Sequence, residues 1–168
     1  MLFNELICLP NEETLEHLSR VFSACPFDLD LKKLYVVLDQ SERPLKPDTS
    51  RVYEAKAGTM NLWYDTAVQM SSLILPLESE SMRERAMELR DGKGSTFYGD
   101  HYFPHMVILQ DAPPMSRHYR TFISSVSTTL ATSDYPLYFD AELVVQRDYH
   151  AIPQADFYAA MLANHYRN

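Results

Sequence analysis

One histidine at the start of an apolar run is the residue of this sequence best suited to acid–base chemistry. His105 follows Pro104 and precedes the run Met-Val-Ile-Leu. Pro104 fixes its own φ and disfavours the α region for Phe103, so the chain arrives extended and His105 opens a strand. Because side chains alternate along a strand, His105, Val107 and Leu109 share one face. A histidine in a cleft on that face can accept or donate a proton.

The same residues argue against a metal centre. His101 lies four positions before His105, but Pro104 excludes the helix that would bring the two imidazoles together. In an extended chain they are about 13 Å apart, which is too far for one metal ion. Cys8 and Cys25 lack metal-like spacing and lie where cysteine is usually a small buried apolar residue. The sequence therefore predicts no metal, no cofactor and no disulfide.

Aromatic residues near this histidine are candidates for ligand contacts. Trp63, together with Tyr98 or Tyr102, can stack on a nucleobase as aromatic platforms do; the alternative for Trp63 is burial in the core. The alternative for His105 is a structural role in the cleft or the core, with its imidazole hydrogen-bonded to the backbone or to a tyrosine.

The composition restricts the partners. Fifteen basic and 23 acidic side chains give a formal charge of −8, which argues against duplex nucleic acid or an anionic membrane as a general partner. The first ten residues have no basic leader and too short an apolar run for a signal peptide or a membrane span. Eleven tyrosines and eight methionines favour a protein-contact surface. We expect a soluble, intracellular protein with a protein partner or a second copy of itself.

The hydrophobic pattern predicts an α+β fold. Six apolar, β-branched or aromatic runs indicate strands: Leu2–Leu9, Leu34–Leu38, Val52–Met60, Ser71–Leu77, His105–Leu109 and Tyr138–Val145. Four segments show helical spacing: the one capped by Asn11, Ser79–Arg90, Met115–Leu130 and a terminal one after Pro153. The order of these elements gives two halves. Each half contains a strand, then a helix, then a strand that carries a candidate functional residue. This predicts paired antiparallel sheets with helices on the outer faces.

Three other segments are predicted to be exposed or irregular. Asp39 to Asp48 holds two prolines among charged residues and is typical of a surface loop. Asn61 to Tyr64 is expected to lead into a turn. His17 falls off the apolar stripe of the first helix, which predicts a solvated side chain.

Several of these features together resemble the two-histidine (2H) phosphoesterases. The stretch Tyr53 to Leu109 looks most similar to the phage anti-CBASS branch, which cleaves bacterial cyclic oligonucleotide signals. The similarity lies in Trp63 after a polar turn, in Leu-Ile-Leu-Pro-Leu-Glu-Ser-Glu-Ser-Met-Arg-Glu-Arg, and in Ser-Thr-Phe-Tyr-Gly-Asp-His-Tyr-Phe-Pro-His-Met-Val-Ile. It covers residues 1–147 and implies a bilobal 2H-phosphoesterase-like domain there. Residues 148–168 then form a C-terminal extension with a helical tail.

The resemblance also implies a degraded active site. The family carries two His-x-Thr motifs, and the first falls on the strand Leu34–Leu38, with Tyr35 at the histidine position and Val37 at the hydroxyl position. In the second motif His105 is present and Val107 replaces the hydroxyl. The resemblance implies that Tyr35 would stand in as an acid, but an unperturbed tyrosine titrates near 10 and works poorly at neutral pH. The alternative for Tyr35 is packing in the core or at its rim. The chemistry requires two histidines that exchange roles as base and acid, and losing one typically costs about 100- to 10,000-fold in rate. Valine at both hydroxyl positions also puts methyl groups where a phosphate would be held.

Two functions follow as expectations. The first is a non-catalytic phage protein of this fold that binds a protein assembly, for example a virion component, or sequesters a nucleotide. The second is an active phosphodiesterase on cyclic oligonucleotides, with Tyr35 and His105 as an unorthodox pair. The two valines favour the first, and within it a protein partner. The tail after Asp148 is the expected contact surface, and the expected location is the host cytoplasm or the virion.

Overall fold

The computed structural model describes residues 2–25, 29–65, 70–90, 102–109 and 117–148. These residues form one antiparallel sheet and three α-helices, which confirms the predicted α+β class. The strands are β1 (Leu2–Pro10), β2 (Val36–Ser41), β3 (Tyr53–Ala57), β4 (Asn61–Asp65), β5 (Met70–Glu78), β6 (His105–Leu109) and β7 (Leu137–Asp148). The helices are α1 (Glu12–Val21), α2 (Glu80–Arg90) and α3 (Arg117–Ser133), with a short 3₁₀ helix at Leu31–Lys33.

The sheet consists of two halves that meet at a narrow seam. Its strand order is β3-β7-β1-β2-β6-β5-β4. At the seam, β2 and β6 pair only through Val36 and Met106. On the opposite side β3 joins the halves, because Lys56 and Ala57 pair with β5 while the preceding residues of β3 pair with β7. The two halves predicted from the sequence are thus joined into a single sheet.

The main core lies between the helices and one face of this sheet. It contains residues of all three helices, such as Leu18, Met82 and Phe122, together with Val36 and Met106 from the seam. Burying these apolar side chains is the main favourable contribution to folding. Three strand residues, Ile7, Leu9 and Val145, form a second, smaller cluster. Cys8 is buried, Cys25 is half-buried, and both are free thiols.

Three local predictions are wrong. β2 continues to Ser41, and Asp39 and Gln40 are buried, because pairing with β1 extends beyond the apolar run. The segment Asn61–Asp65 is a strand, since β5 supplies a pairing partner for each of its residues. His17 is 8 % exposed.

The burial of His17 comes from a contact distant in sequence. Its ring stacks on Tyr135, with centroids 4.1 Å apart. Burial lowers the pKa of His17, and the positive charge of Arg20 lowers it further. The apolar stripe of α1 gave no sign of this contact, because Tyr135 follows α3 and lies more than a hundred residues away along the chain.

Other predictions hold or fall outside the described residues. Asn11 caps α1 as expected, because its side-chain oxygen accepts a hydrogen bond of 2.8 Å from the backbone N–H of Thr14. β7 extends three residues beyond the predicted strand, to Asp148. The terminal helix, and with it the extension from residue 149 onward, lies outside the described residues. No helix in the described ranges is long and apolar enough to cross a membrane.

Candidate functional site

Four positions singled out from the sequence lie on one face of the seam. Val36 and Met106 are paired and both point into the main core. Their neighbours along the strands are half-buried and alternate to the other side of the sheet. Extending the antiparallel register by one residue in each direction places Val37 opposite His105 and Tyr35 opposite Val107. We refer to these four side chains as the β2–β6 face.

The β2–β6 face is largely apolar. Tyr35 and Val37 pack against the second cluster, formed by Ile7, Leu9 and Val145. Glu5 shares their side of the sheet, because it alternates with Ile7 along β1. Glu5 is fully buried and accepts a hydrogen bond of 2.8 Å from the side-chain amide of Gln40. The acidic group on this side of the sheet was not predicted, since Glu5 lies in a mostly apolar strand.

His105 is held in one orientation by the backbone before it. Its Nδ1 lies 2.9 Å from the carbonyl oxygen of Phe103. A carbonyl only accepts hydrogen bonds, so Nδ1 carries the proton. The Phe103 ring is 40 % exposed and its centroid lies 5.9 Å from that of the imidazole. Burial lowers the pKa of His105, and the Phe103 carbonyl only partly opposes this effect. His105 is therefore neutral at neutral pH.

Tyr102 contacts the seam rather than an open surface. Its hydroxyl donates a hydrogen bond of 2.9 Å to the backbone oxygen of Val37. The guanidinium of Arg90 lies over its ring, 5.7 Å from the centroid. The ring face predicted to stack on a base is thus next to an arginine.

The remaining predicted contacts are distant or outside the described residues. Trp63 in β4 pairs with Ser72 on one edge of β5. His105 in β6 pairs with Pro76 on the other edge of β5, four residues further along that strand. The backbones of Trp63 and His105 are therefore separated by about 13 Å along the strands and about 10 Å across them. Tyr98 and His101 lie outside the described residues. Within the described ranges no group of three histidine, cysteine or acidic residues is placed to hold a metal ion.

The best-satisfied charged group in the described interior was not predicted. Glu142 is 1 % exposed and accepts hydrogen bonds from Arg85 at 3.0 and 3.2 Å, from the hydroxyl of Tyr53, and from the backbone N–H of Asp48 at 3.0 Å. Burial and the Glu142 carboxylate raise the pKa of Tyr53 well above its usual range. We call Glu142, Arg85 and Tyr53 the Glu142 cluster. Its only signal in the sequence is an acidic residue within a strongly apolar strand.

A backbone irregularity accompanies Glu142. Between Ile7 and Leu9 of β1, the pairing partner in β7 changes from Leu143 to Asp140, so β7 contains an extra residue. Ala141 lies at this bulge with φ of 53°, in the left-handed region that costs a residue with a Cβ about 1 to 2 kcal/mol. Beyond the bulge, Glu142 is directed to the helix side of the sheet.

A second buried acid–arginine pair lies at the end of α2. The side chains of Asp39 and Arg90 are 0 % and 8 % exposed, and Arg90 Nε lies 3.8 Å from Asp39 Oδ1. Neither carboxylate oxygen has a hydrogen-bonding side-chain partner among the described residues. Burial raises the pKa of Asp39 to about 6, although the Gln40 backbone and Arg90 both favour the ionised form.

A shallow groove of about 450 Å³ lies elsewhere, along α3. It is lined mainly by hydroxyl side chains and by exposed Arg120, and it contains no residue of the β2–β6 face. Comparison with known proteins adds no assignment. No protein-family model matches the chain, and no curated protein matches it.

Proposed function

We propose that this protein acts by binding a partner through the β2–β6 face and does not cleave phosphodiesters. The observation that carries the proposal is the position of Val37 and Val107 beside His105 and Tyr35 on adjacent strands. The resemblance of the sequence to 2H phosphoesterases implies that the reacting groups of that family would stand at these four positions. Here they consist of two valines, one phenol and one histidine.

Acid–base cleavage requires groups that this face lacks among its described residues. One neutral histidine can act as a base, but a phenol that titrates near 10 is a poor acid at neutral pH. A phosphodiester transition state also needs hydrogen-bond donors aimed at its oxygens. Val37 and Val107 offer only methyl groups at the corresponding positions, so a phosphate there would lose water without gaining partners.

The same surroundings favour a protein over a nucleotide. The face continues into an apolar cluster, and the exposed Phe103 ring adjoins His105. Glu5 adds an acidic group on this side of the sheet, and the whole chain carries a formal charge of −8. Both of these negative charges disfavour the binding of an anion such as a nucleotide phosphate. Apolar and aromatic side chains at the centre of a patch are typical of protein interfaces. The proposed partner is accordingly a protein, such as a component of a phage assembly, met in the host cytoplasm or the virion.

Cyclic nucleotides provide the direct test against the competing function, an active phosphodiesterase. The purified chain is incubated with a panel of cyclic di- and trinucleotides, beside His105→Ala and the matched control Met87→Ala on the exposed side of α2. We expect no linear product from any of the three. Linear products that disappear only in His105→Ala would overturn the proposal. A rise in melting temperature without product would instead indicate nucleotide sequestration.

Site-specific cross-linking tests the protein partner. A photoreactive residue replaces Val107 on the face, and a second protein carries the same residue at position 87 as the control. We expect a partner cross-linked only from position 107. The identified partner is then purified and its Kd measured with the unmodified chain and with Val107→Lys. Equal affinity for the two chains would place the interface elsewhere and refute the assignment of this face.

A further inference from the structure

The seam between β2 and β6 has unusually little backbone support. β2 is paired with β1 through five residue pairs and β6 with β5 through four, whereas β2 and β6 share one. Strand pairing supports a sheet, and this seam has the fewest paired residues of any boundary between neighbouring strands of the described sheet. β3 connects the two halves on the opposite side through its pairing with both β7 and β5. Opening at the seam would therefore leave the halves attached along β3.

Side chains contact one another across this boundary. Asp39 belongs to β2, and its carboxylate lies 3.8 Å from Arg90 at the end of α2. The Arg90 guanidinium lies over the ring of Tyr102, which precedes β6 in the other half. The hydroxyl of Tyr102 then donates to the backbone oxygen of Val37, back in β2. We call Asp39, Arg90 and Tyr102 the Arg90 clasp.

The contacts of the clasp are individually modest. An ion pair at 3.8 Å without a hydrogen bond is weaker than a bidentate one at about 3 Å. A cation over an aromatic ring is worth roughly 0.5 to 2 kcal/mol. Burial of the Asp39 carboxylate, reflected in its raised pKa, offsets part of the attraction to Arg90. Each of these described contacts is thus of a size that a binding partner can offset.

We propose that the Arg90 clasp controls the opening of the seam between β2 and β6, and that release of Arg90 increases access to the β2–β6 face. The effect of the clasp on partner binding rests on the proposed function of the β2–β6 face. Its effect on opening of the seam does not rest on that function, because the opening is a property of the unbound chain.

Hydrogen exchange of the unbound chain, followed by mass spectrometry, tests the clasp. Arg90→Ala is compared with Arg83→Ala, which removes an exposed arginine from the same helix. We expect about tenfold faster exchange for Arg90→Ala at the amides of β2 and β6 that face each other, because losing an ion pair and a cation over an aromatic ring is worth roughly that factor. Exchange in β1 and β7 should stay unchanged, as should all segments in Arg83→Ala. Equal acceleration of all strands by Arg90→Ala, or no difference from Arg83→Ala, would overturn the proposal.

Two milder variants test the clasp if Arg90→Ala does not fold. Arg90→Lys keeps a charge beside Asp39 but loses the planar group over the ring, and Tyr102→Phe keeps the ring but loses the hydrogen bond to Val37. Each should accelerate exchange in β2 and β6 by a smaller factor, and wild-type exchange in both would refute the clasp. Cross-linking from position 107 separates the proposals. Faster hydrogen exchange at the seam, together with no partner cross-linked from position 107, would support the clasp and refute the proposed function.

Discussion

Helix α2 supplies an arginine to each of two buried acidic groups, and the two sites are built differently. At the Glu142 cluster, Arg85 makes two hydrogen bonds to Glu142, whose remaining capacity is taken by Tyr53 and a backbone N–H. At the Arg90 clasp, the arginine stands 3.8 Å from its acid and meets a tyrosine through the ring.

The difference separates a fixed anchor from an adjustable contact. A buried charge whose hydrogen bonds are all made is costly to disturb, because removing one partner leaves the others unpaired in a low dielectric. The Glu142 cluster connects β3, β7 and α2 within one half of the sheet. The Arg90 clasp spans the seam between the halves, where a strong contact would prevent opening. The longer ion pair therefore lies at the boundary that is proposed to move.

The largest expected effect is the loss of the anchor. Glu142→Ala leaves Arg85 and Tyr53 buried without their acceptor, and should lower the free energy of unfolding by about 3 to 5 kcal/mol. Urea unfolding followed by circular dichroism measures the change. The control is Glu88→Ala, which removes a half-exposed partner of the same arginine and should cost much less, because water screens an exposed ion pair. Similar losses in both variants would show that the Glu142 cluster is not the anchor.

The clasp is expected to show itself in the pH dependence of stability. Asp39 has an ordinary pKa of 3.8 and a folded pKa of about 6. The folded state therefore keeps this proton to a higher pH than the unfolded chain, and the free energy of unfolding falls as pH rises from about 4 to about 6. Asp39→Asn removes that fall. Relative to the wild type, the variant should gain up to about 3 kcal/mol across the interval, since one pKa unit corresponds to about 1.4 kcal/mol.

Urea titrations at several pH values between 4 and 7 measure this difference. Asp134→Asn serves as the control, because its carboxylate is 78 % exposed and pairs with exposed Lys56. It should follow the wild-type curve. If Asp39→Asn also follows the wild type, burial does not penalise the ionised Asp39 carboxylate as expected, and the contrast between anchor and clasp disappears.

The smallest expected effect concerns the bulge that precedes the anchor. Ala141→Gly relieves a positive φ that a Cβ disfavours, and should raise the free energy of unfolding by about 1 kcal/mol. Asp134 also has a positive φ, of 46°. Asp134→Gly should gain less, because aspartate tolerates this region better than alanine. Thermal unfolding of the two variants compares the gains, and a loss of stability in Ala141→Gly would mean that its methyl group contributes packing that outweighs the strain.

Local patterns determined much of the secondary structure before any tertiary contact was known. Pro104 and the apolar run after it predicted the strand that His105 opens, and Asn11 predicted the start of α1. Alternation also predicted that His105 and Val107 share a face. These features follow from backbone sterics and side-chain period, which act over a few residues.

Contacts distant in sequence decided what the local pattern could not. Arg85 and Tyr53 reach Glu142 from 57 and 89 residues away, and Asp39 is buried because α2 covers the end of β2. The resemblance to 2H phosphoesterases named the positions of the β2–β6 face, but only the pairing of Val36 with Met106 put them on adjacent strands. Periodicity tells which side of an element is buried, whereas the neighbour that buries it depends on how the whole chain packs.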